Sequence, residues 1–388
     1  MNAIAAQFTS PTGSRDTWAE VMLPAIAHNM RLFSRQKAKA CRLMAVVKAN
    51  AYGHGAVEVA RTALSAGAEY LGVALVDEGL QLRESGITQP ILVLGYTPPH
   101  AVEAALVQNI TLTVFTEEVL EEIIVCARRH KIKARIHLKY DTGMSRIGLA
   151  SIPAVTRLME QASAAASDVI VEGMFTHFAD ADGADPGFAQ EQFARFTACI
   201  KALESKGFHI PIKHCCNSAA AMRFPEMHLD MIRVGIALYG LYPSEQLRLP
   251  EYPLQQAMSL KTRIAALHPA LPGQTVGYGR TYRAADDTLI ATIPIGYADG
   301  LSRSLSNCGY ALVRGQRVPV IGRICMDQAM LDVSGVQGIS TGDEVVMFGS
   351  TGRPGEEIAL GEMAAWMNTI HYEVICAISQ RVPRLYRQ

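Results

Sequence analysis

The sequence predicts an α/β protein in two parts, an N-terminal (β/α)8 TIM-like barrel followed by a mostly β C-terminal domain. Three observations carry that expectation. Over roughly the first 240 residues, eight short apolar runs alternate with segments whose apolar residues recur at i, i+3 and i+4. Those runs are apolar throughout rather than alternating, as strands covered on both faces are. Beyond Pro243 and the proline-rich Leu-Pro-Glu-Tyr-Pro at 249–253 the rhythm changes to one dominated by strands, which marks a domain boundary.

Taken in order, the runs predict barrel strands at 43–49, 70–76, 91–95, 111–115, 135–140, 169–178, 212–216 and 231–240. Helical patterns lie between them at 56–66, 77–84, 117–130, 152–165 and 188–206. The last crossover, 218–230, leaves room for a turn or two of helix. Strand patterns then follow at 259–267, 289–294, 311–314, 318–324, 330–333 and 344–348, with one helix near 358–370. The boundary is placed at 245, giving domains 1–245 and 246–388.

Lys+Arg and Asp+Glu both number 36. That balance offers no electrostatic footprint for nucleic acid or an anionic membrane. The one basic knot, Arg-Arg-His-Lys-Ile-Lys at 128–133, reads as a solvated helix end. Eight cysteines without CxxC spacing support neither a metal site nor a disulfide framework. The first residues show no basic segment leading into a sustained apolar one, and no 18-residue apolar stretch offers a membrane span. The expectation is a cytoplasmic protein with no nucleic-acid or membrane partner and no metal.

A barrel collects function at the C-terminal ends of its strands. Lys48 ends the first run, Lys139 and Asp141 the fifth, and His177 the sixth; Asn217 and Ser218 follow the seventh, and Arg233 and Gly235 lie on the eighth. Each has an ordinary reading. Lys48 could lay its stem on apolar surface and lift its ammonium into water. Ser218 could be a helix N-cap, His177 a core histidine, Arg233 half of a buried ion pair, and Asp141-Thr-Gly143 only a turn. Their joint placement in one ring favours chemistry. The loops after strands 7 and 8 offer the Ser218 hydroxyl and the N–H groups around Gly235-Ile236 to a phosphate. A strand-1 lysine able to take an aldehyde faces them, and pyridoxal 5′-phosphate (PLP) fits both ends.

The segments AVVKANAYGHG (45–55), DTGMSRIG (141–148), HCCNSA (214–219), RVGIALYG (233–240), VGYGRTY (276–282), IPIGYADG (293–300) and GRICMDQ (322–328) resemble the PLP-dependent alanine racemases. The likeness runs through nearly the whole chain. It implies that Lys48 carries the cofactor and acts as one acid/base, and that Tyr278 acts as the other. It further implies that Tyr52, Ser218, Gly235, Ile236 and Tyr372 hold the phosphate and Arg233 meets the pyridine nitrogen, with Asn217 and His177 also at the cofactor. Arg146 and the backbone of Met326 would receive the substrate carboxylate, beside Asp327, and Tyr297 would narrow the entrance. Lys139 aligns with a lysine open to carbamylation in that family. The resemblance also implies a homodimer in which Tyr278, Tyr297 and Met326 serve the partner's barrel, and a reaction that supplies or degrades D-alanine for peptidoglycan metabolism. Cys216 stands where that family has alanine, Met22 where an acid is expected and His371 where asparagine is common. The alternatives are a racemase of broader or serine specificity, a decarboxylase on the same plan, and a PLP carrier.

Overall fold

A computed structural model describes residues 15–388; residues 1–14, on which the reading of a missing signal segment rests, lie outside them. The chain divides into two compact units, Leu23–Gln256 and a second made of Ala257–Gln388 together with the segment before Leu23.

The first unit holds eight parallel strands: β2 (Arg42–Val46), β3 (Tyr70–Val73), β4 (Ile91–Val93), β5 (Thr111–Val114), β6 (Ala134–Lys139), β7 (Val169–Phe175), β8 (Ile212–His214) and β9 (Met231–Val234). They run in the order β8-β7-β6-β5-β4-β3-β2-β9. Their side chains are buried almost without exception, which is why the sequence runs are apolar rather than alternating. Between β8 and β9 the ring closes through two backbone bonds, Asp230 N–H to Lys213 O (3.0 Å) and Arg233 N–H to Cys216 O (3.1 Å). The last crossover is short, a six-residue helix at Ser218–Arg223 and a 3₁₀ turn at Pro225–Met227.

The first strand, β1 (Thr17–Met22), corrects the expected domain limits. It pairs antiparallel with β10 (Met258–Arg263) and parallel with β20 (Arg384–Arg387), so it is part of the second unit. The barrel therefore starts at Leu23, and its end moves from 245 to 256. The physical reason for the later end is a clamp. Buried Asn29 donates to Leu238 O and Gln255 O (3.0 and 2.9 Å), and its side-chain oxygen accepts from Gln255 N–H (2.9 Å), holding the linker on the barrel.

The second unit continues through β11 (Ala266–Ala270), the β12–β13 hairpin (Thr275–Val276, Tyr282–Arg283), β14 (Thr288–Ile293), β15 (Tyr310–Val313), β16 (Gln316–Ile321), β17 (Ala329–Asp332), β18 (Glu344–Ser350) and β19 (Glu357–Ile358). Its large sheet runs β11-β14-β17-β16-β15-β18-β10-β1-β20. The single run read at 259–267 is two strands, because β10 pairs with β18 while β11 turns to β14. Two helices, Leu360–Met367 and His371–Cys376, replace the one expected.

Gly240 ends the turn after β9 at φ 81°, and a Cβ there would lie 1.8 Å from Gln255 O. Gly240→Ala must displace the linker as well as adopt a left-handed backbone. It should lower unfolding stability by at least about 2 kcal/mol, read as a fall in the urea midpoint.

A cationic ring at the mouth of the barrel

Lys48 does not end a strand. β2 stops at Val46, and Lys48 opens a turn in which Ala49, Asn50, Ala51 and Tyr52 all take left-handed backbone angles, φ 50–53°. L-residues avoid this region at roughly 1–2 kcal/mol each, so the turn needs outside support. Glu78 Oε1 accepts from Ala49 N–H (2.6 Å), Asn50 Oδ1 from Ala56 N–H (2.8 Å), and His54 Nδ1 lies 3.1 and 3.0 Å from the carbonyls of Ala51 and Tyr52. The turn sets the Tyr52 ring on Tyr239 (4.8 Å) and Lys48 Nζ 5.9 Å from the Tyr52 ring. Tyr239 in turn donates to Val46 O (2.9 Å).

Opposite this turn, Ser218 Oγ accepts from Gly235 N–H (2.9 Å) and Ala237 N–H (3.4 Å), tying the first turn of its helix to the segment after β9. Asn217 caps that helix through Ala220 N–H (3.0 Å). A Cβ on Gly235 would come 2.9 Å from the Tyr52 hydroxyl; the glycine keeps a small cradle between Tyr52, Ser218 and the opening N–H groups of the Ile236–Tyr239 turn. The helix cap is Asn217, not Ser218, whose hydroxyl is free of the capping role.

Arg233 is 3% exposed, and among the described residues no carboxylate forms an ion pair with it. Its guanidinium donates to Thr176 O (3.0 Å), Cys215 O (2.9 Å) and His214 Nδ1 (2.8 Å), with His177 Nδ1 at 3.3 Å. Burial lowers its pKa to about 10, which leaves it charged at neutral pH. Burial, then the charges of Arg233, Lys139, Arg146 and Lys48, keep His177 neutral. Phe175 fills the space beneath, stacked on His214 (4.8 Å) and approached by Lys139 Nζ (4.5 Å) and Arg233 (5.4 Å).

The DTGMSRIG segment is a turn with a task. Asp141 Oδ1 accepts from Gly143 and Ser145 N–H (2.9 and 3.1 Å), and Leu149 bonds back to Lys139 and Asp141. The closed loop presents Arg146 to solvent beside the barrel mouth. Thr142 and Thr176 bond each other (2.7 Å), and buried Gln192 joins Thr142, His177 O and Ala179 N–H.

In the second unit, Tyr278, Tyr297 and Met326 are 71%, 44% and 53% exposed. Ala298 N–H donates to Met326 O and Tyr297 N–H to Cys325 O (both 3.0 Å). Gly277 and Gly279, flanking Tyr278, sit against Arg323. The backbone thus joins the Tyr297 and Met326 segments and sets the Tyr278 turn against Arg323, and Asp327 is paired with Arg381 (2.6 Å). Tyr372 lies in the same unit, half-buried in the His371–Cys376 helix.

Sequence reasoning missed His214, His137, Phe175, Thr176 and Glu172 as parts of the site. His214 stood inside a quoted motif, while the others left no signal beyond sitting within apolar runs. Cys215 and Cys216 are fully buried and both donate to Met227 O (3.1 Å); their mutual contact and burial hold the Cys216 thiol protonated. The basic knot at the end of the Glu117–His130 helix is matched by Asp168 and Glu103. Among the described residues no group of His, Cys, Asp and Glu is arranged for a metal, and no helix is long and apolar enough to cross a membrane.

A turn-borne lysine, a glycine flanked by serine and tyrosine hydroxyls, and a buried guanidinium are groups of the kinds that an aldehyde, a phosphate and a ring nitrogen of PLP would require. They define a barrel enzyme built around that cofactor. Residues 21–243 match the family of alanine racemase N-terminal domains and residues 257–386 that of the C-terminal domains. An alanine racemase of Oceanobacillus iheyensis is 51% identical over 97% of this chain and 99% of its own. A crystal structure of alanine racemase from Bacillus anthracis with bound L-Ala-P superposes with TM-score 0.91 at 38% identity, covering 97% of this chain and 96% of that one. A histidine racemase from Leuconostoc mesenteroides does so with TM-score 0.89 at 30% identity, over 97% and 100%. This chain belongs to the alanine racemase family and is a PLP-dependent isomerase.

Burial first, then Arg233 and Arg146, pull Lys139 from 10.5 to about 7, with Asp141 opposing. Below pH 7 both folded and unfolded chains carry this charge, so the folded state bears its full cost. Between pH 7 and 10.5 the folded chain alone has lost the proton, and stability rises with pH. Relative to Lys139→Met, the wild type should gain up to about 5 kcal/mol across that window, measured as the difference in denaturation free energy.

Proposed function

We propose that the chain interconverts L- and D-alanine by a two-base mechanism, with Lys48 and Tyr278 on opposite faces of Cα. The 51% identity to an alanine racemase over nearly the full length is the observation that carries the substrate. The histidine racemase with the same fold favours a second reading, a larger or broader substrate, because the architecture alone does not fix side-chain size.

PLP supplies the electron-withdrawing imine that makes Cα–H of an amino acid removable by a side chain. The protein decides where protons go. Lys48 would hold the aldehyde end and move a proton on one face. Tyr278 would do so on the other, since inversion in place needs a donor and an acceptor on opposite sides. Tyr52, Ser218, Gly235, Ile236 and Tyr372 would hold the phosphate, with Asn217 fixing the helix that bears Ser218. Arg233 would face the ring nitrogen as a permanent donor. A guanidinium cannot serve as the acid that protonates that nitrogen, so the ring withdraws fewer electrons and a proton has less opportunity to return to the wrong carbon. Arg146 and the Met326 backbone, with Asp327 nearby, would take the substrate carboxylate, Tyr297 would limit its size, and His177 would steady Arg233. Lys139, deprotonated above about pH 7, is in the form open to carbamylation.

A homodimer completes this reading. Three large side chains left exposed in the second unit are of the kind a subunit interface covers, and Tyr278 among them would serve the partner's barrel.

Incubation in heavy water with a panel of L-amino acids, read by chiral chromatography and mass, tests the proposal. Deuterated D-alanine alone is expected; equal inversion of serine or histidine would replace alanine as the substrate. Borohydride reduction should leave a pyridoxyl group on the Lys48 peptide. Tyr278→Phe should cut kcat at least about 100-fold and leave solvent exchange at Cα for one enantiomer only. Arg233→Glu should lower racemisation and raise transamination; an unchanged ratio would remove Arg233 from the ring nitrogen.

A further inference from the structure

Barrel interiors are packed with layers of branched apolar side chains, yet a line of polar groups runs down the inside of this one. Arg233 Nη1 meets His214 Nδ1 at 2.8 Å, His214 Nε2 meets His137 Nδ1 at 2.9 Å, and His137 Nε2 meets Glu172 Oε2 at 3.4 Å. Glu172 Oε1 then accepts from Arg135 (2.7 Å). His137, His214 and Arg233 are essentially sealed from solvent and Glu172 is buried.

The backbone is bent to make this line. Ile136 pairs with Val171 but His137 with Gly173, so Glu172 is the extra residue of a bulge in β7, the device by which a strand re-aims a side chain. Gly173 is required beside it, since a Cβ there would stand 2.5 Å from the His137 ring. Arg135, His137 and Lys139 alternate along β6 and so share one face, running from the N-terminal end of the barrel to its mouth.

The proton positions follow from the ends. Arg233 has only donors, so its bond to His214 forms only when Nδ1 accepts and the ring proton sits on Nε2. His137 Nδ1 therefore accepts, and its Nε2–H is aimed at Glu172, which as a carboxylate has only acceptors. We infer that Glu172 is a positioning residue for Arg233: through His137 and His214 it fixes the tautomers that turn a lone pair, and not an N–H, toward the guanidinium. The inference rests on the reading that Arg233 faces the ring nitrogen. The surrounding charges agree with it. Burial keeps both histidines neutral, and although burial alone would raise Glu172, its bonds to His137 and Arg135 hold it at about 2. Tyr70, whose hydroxyl also bonds to Glu172, and Arg42 beside the Tyr70 ring are further polar groups at this end.

The isosteric change Glu172→Gln separates this role from simple packing. Arg135 is a charged donor and claims the new carbonyl, which leaves the amide NH2 facing His137. His137 must then accept at Nε2 and carry its proton on Nδ1; His214 must follow, and an N–H points at Arg233. Adding Arg135→Met removes the charged donor and leaves the Tyr70 hydroxyl, which can accept from the amide NH2, so the introduced amide can turn its carbonyl to His137 and restore the original line.

The measurement is nitrogen-15 NMR of histidine-labelled holoenzyme at pH 8, with His137 and His214 assigned by single substitution, alongside the ratio of racemisation to transamination. In the wild type both rings should be neutral with the proton on Nε2. In Glu172→Gln both should carry it on Nδ1, with kcat roughly tenfold lower, KM unchanged and transamination increased. The double variant should return the tautomers and recover most of the rate, which the loss of one more hydrogen bond could not do if Glu172 were merely structural. A wild-type ring that is charged or protonated on Nδ1 overturns the inference, as does a Glu172→Gln protein with unchanged tautomers. Inverted tautomers with an unchanged reaction ratio would establish the lock and overturn the reading of Arg233 beneath it.

Discussion

A guanidinium buried without a carboxylate is the constraint on which this barrel turns. Removing an ion from water costs several kcal/mol even after relaxation, and a counter-ion is the usual compensation. Arg233 is compensated instead by neutral acceptors drawn from three places: the carbonyl after β7, the carbonyl after β8 and the rings of His214 and His177. Those acceptors converge only if β7, β8 and β9 end level with one another. The short crossover from β8 to β9 and the two backbone bonds that close the ring there are the means by which they do. A carboxylate would have been simpler, but it would have tied up the donors that make Arg233 useful.

The second constraint is the left-handed turn after Lys48. Four consecutive residues in that region represent roughly 4–8 kcal/mol of backbone strain, comparable with the net stability of many domains. The surrounding groups fix it from several sides: Glu78 from the next crossover, Asn50 and His54 from within, and the Tyr52–Tyr239 stack from the far end of the ring. The outcome is that Tyr52 reaches across to Gly235, so one short segment places both the lysine and a hydroxyl at the opposite cradle. Strain of this kind concentrates at functional sites because only a surrounding structure that over-determines the backbone can retain it.

These facts explain what could and could not be read in advance. The eight strands were legible because both faces of each are covered, which leaves continuous apolar runs. The ring of polar residues at the barrel mouth was legible because barrel topology gathers strand ends, whatever the loops do. The turn at Lys48 was not, since Ala-Asn-Ala-Tyr carries no glycine to announce positive φ until Gly53. β1 escaped its domain because a strand's partner is set by tertiary pairing, and β10 and β20 lie roughly 240 and 370 residues away in sequence. His137 and Glu172 were invisible as a pair because the bulge that joins them depends on register between β6 and β7, which no periodicity in either strand records.

The polar line inside the barrel and the cations at its mouth belong to one electrostatic arrangement. Lys48, Lys139, Arg146 and Arg233 gather at the strand ends, and burial first, then the charges of the neighbouring cations, lower the pKa of Lys139 and keep His177 neutral. Asp141 is the carboxylate that opposes them there, while Glu172 is committed to Arg135 and His137 at the other end. A mouth with this excess of positive charge is complementary to anionic groups such as a phosphate or a carboxylate. A ligand that brings both relieves a repulsion the folded chain otherwise bears, so part of its binding energy is also folding energy. Burial and the same field disfavour a charged histidine beside Arg233, which keeps the imidazoles that accept from its guanidinium in a single, neutral protonation state.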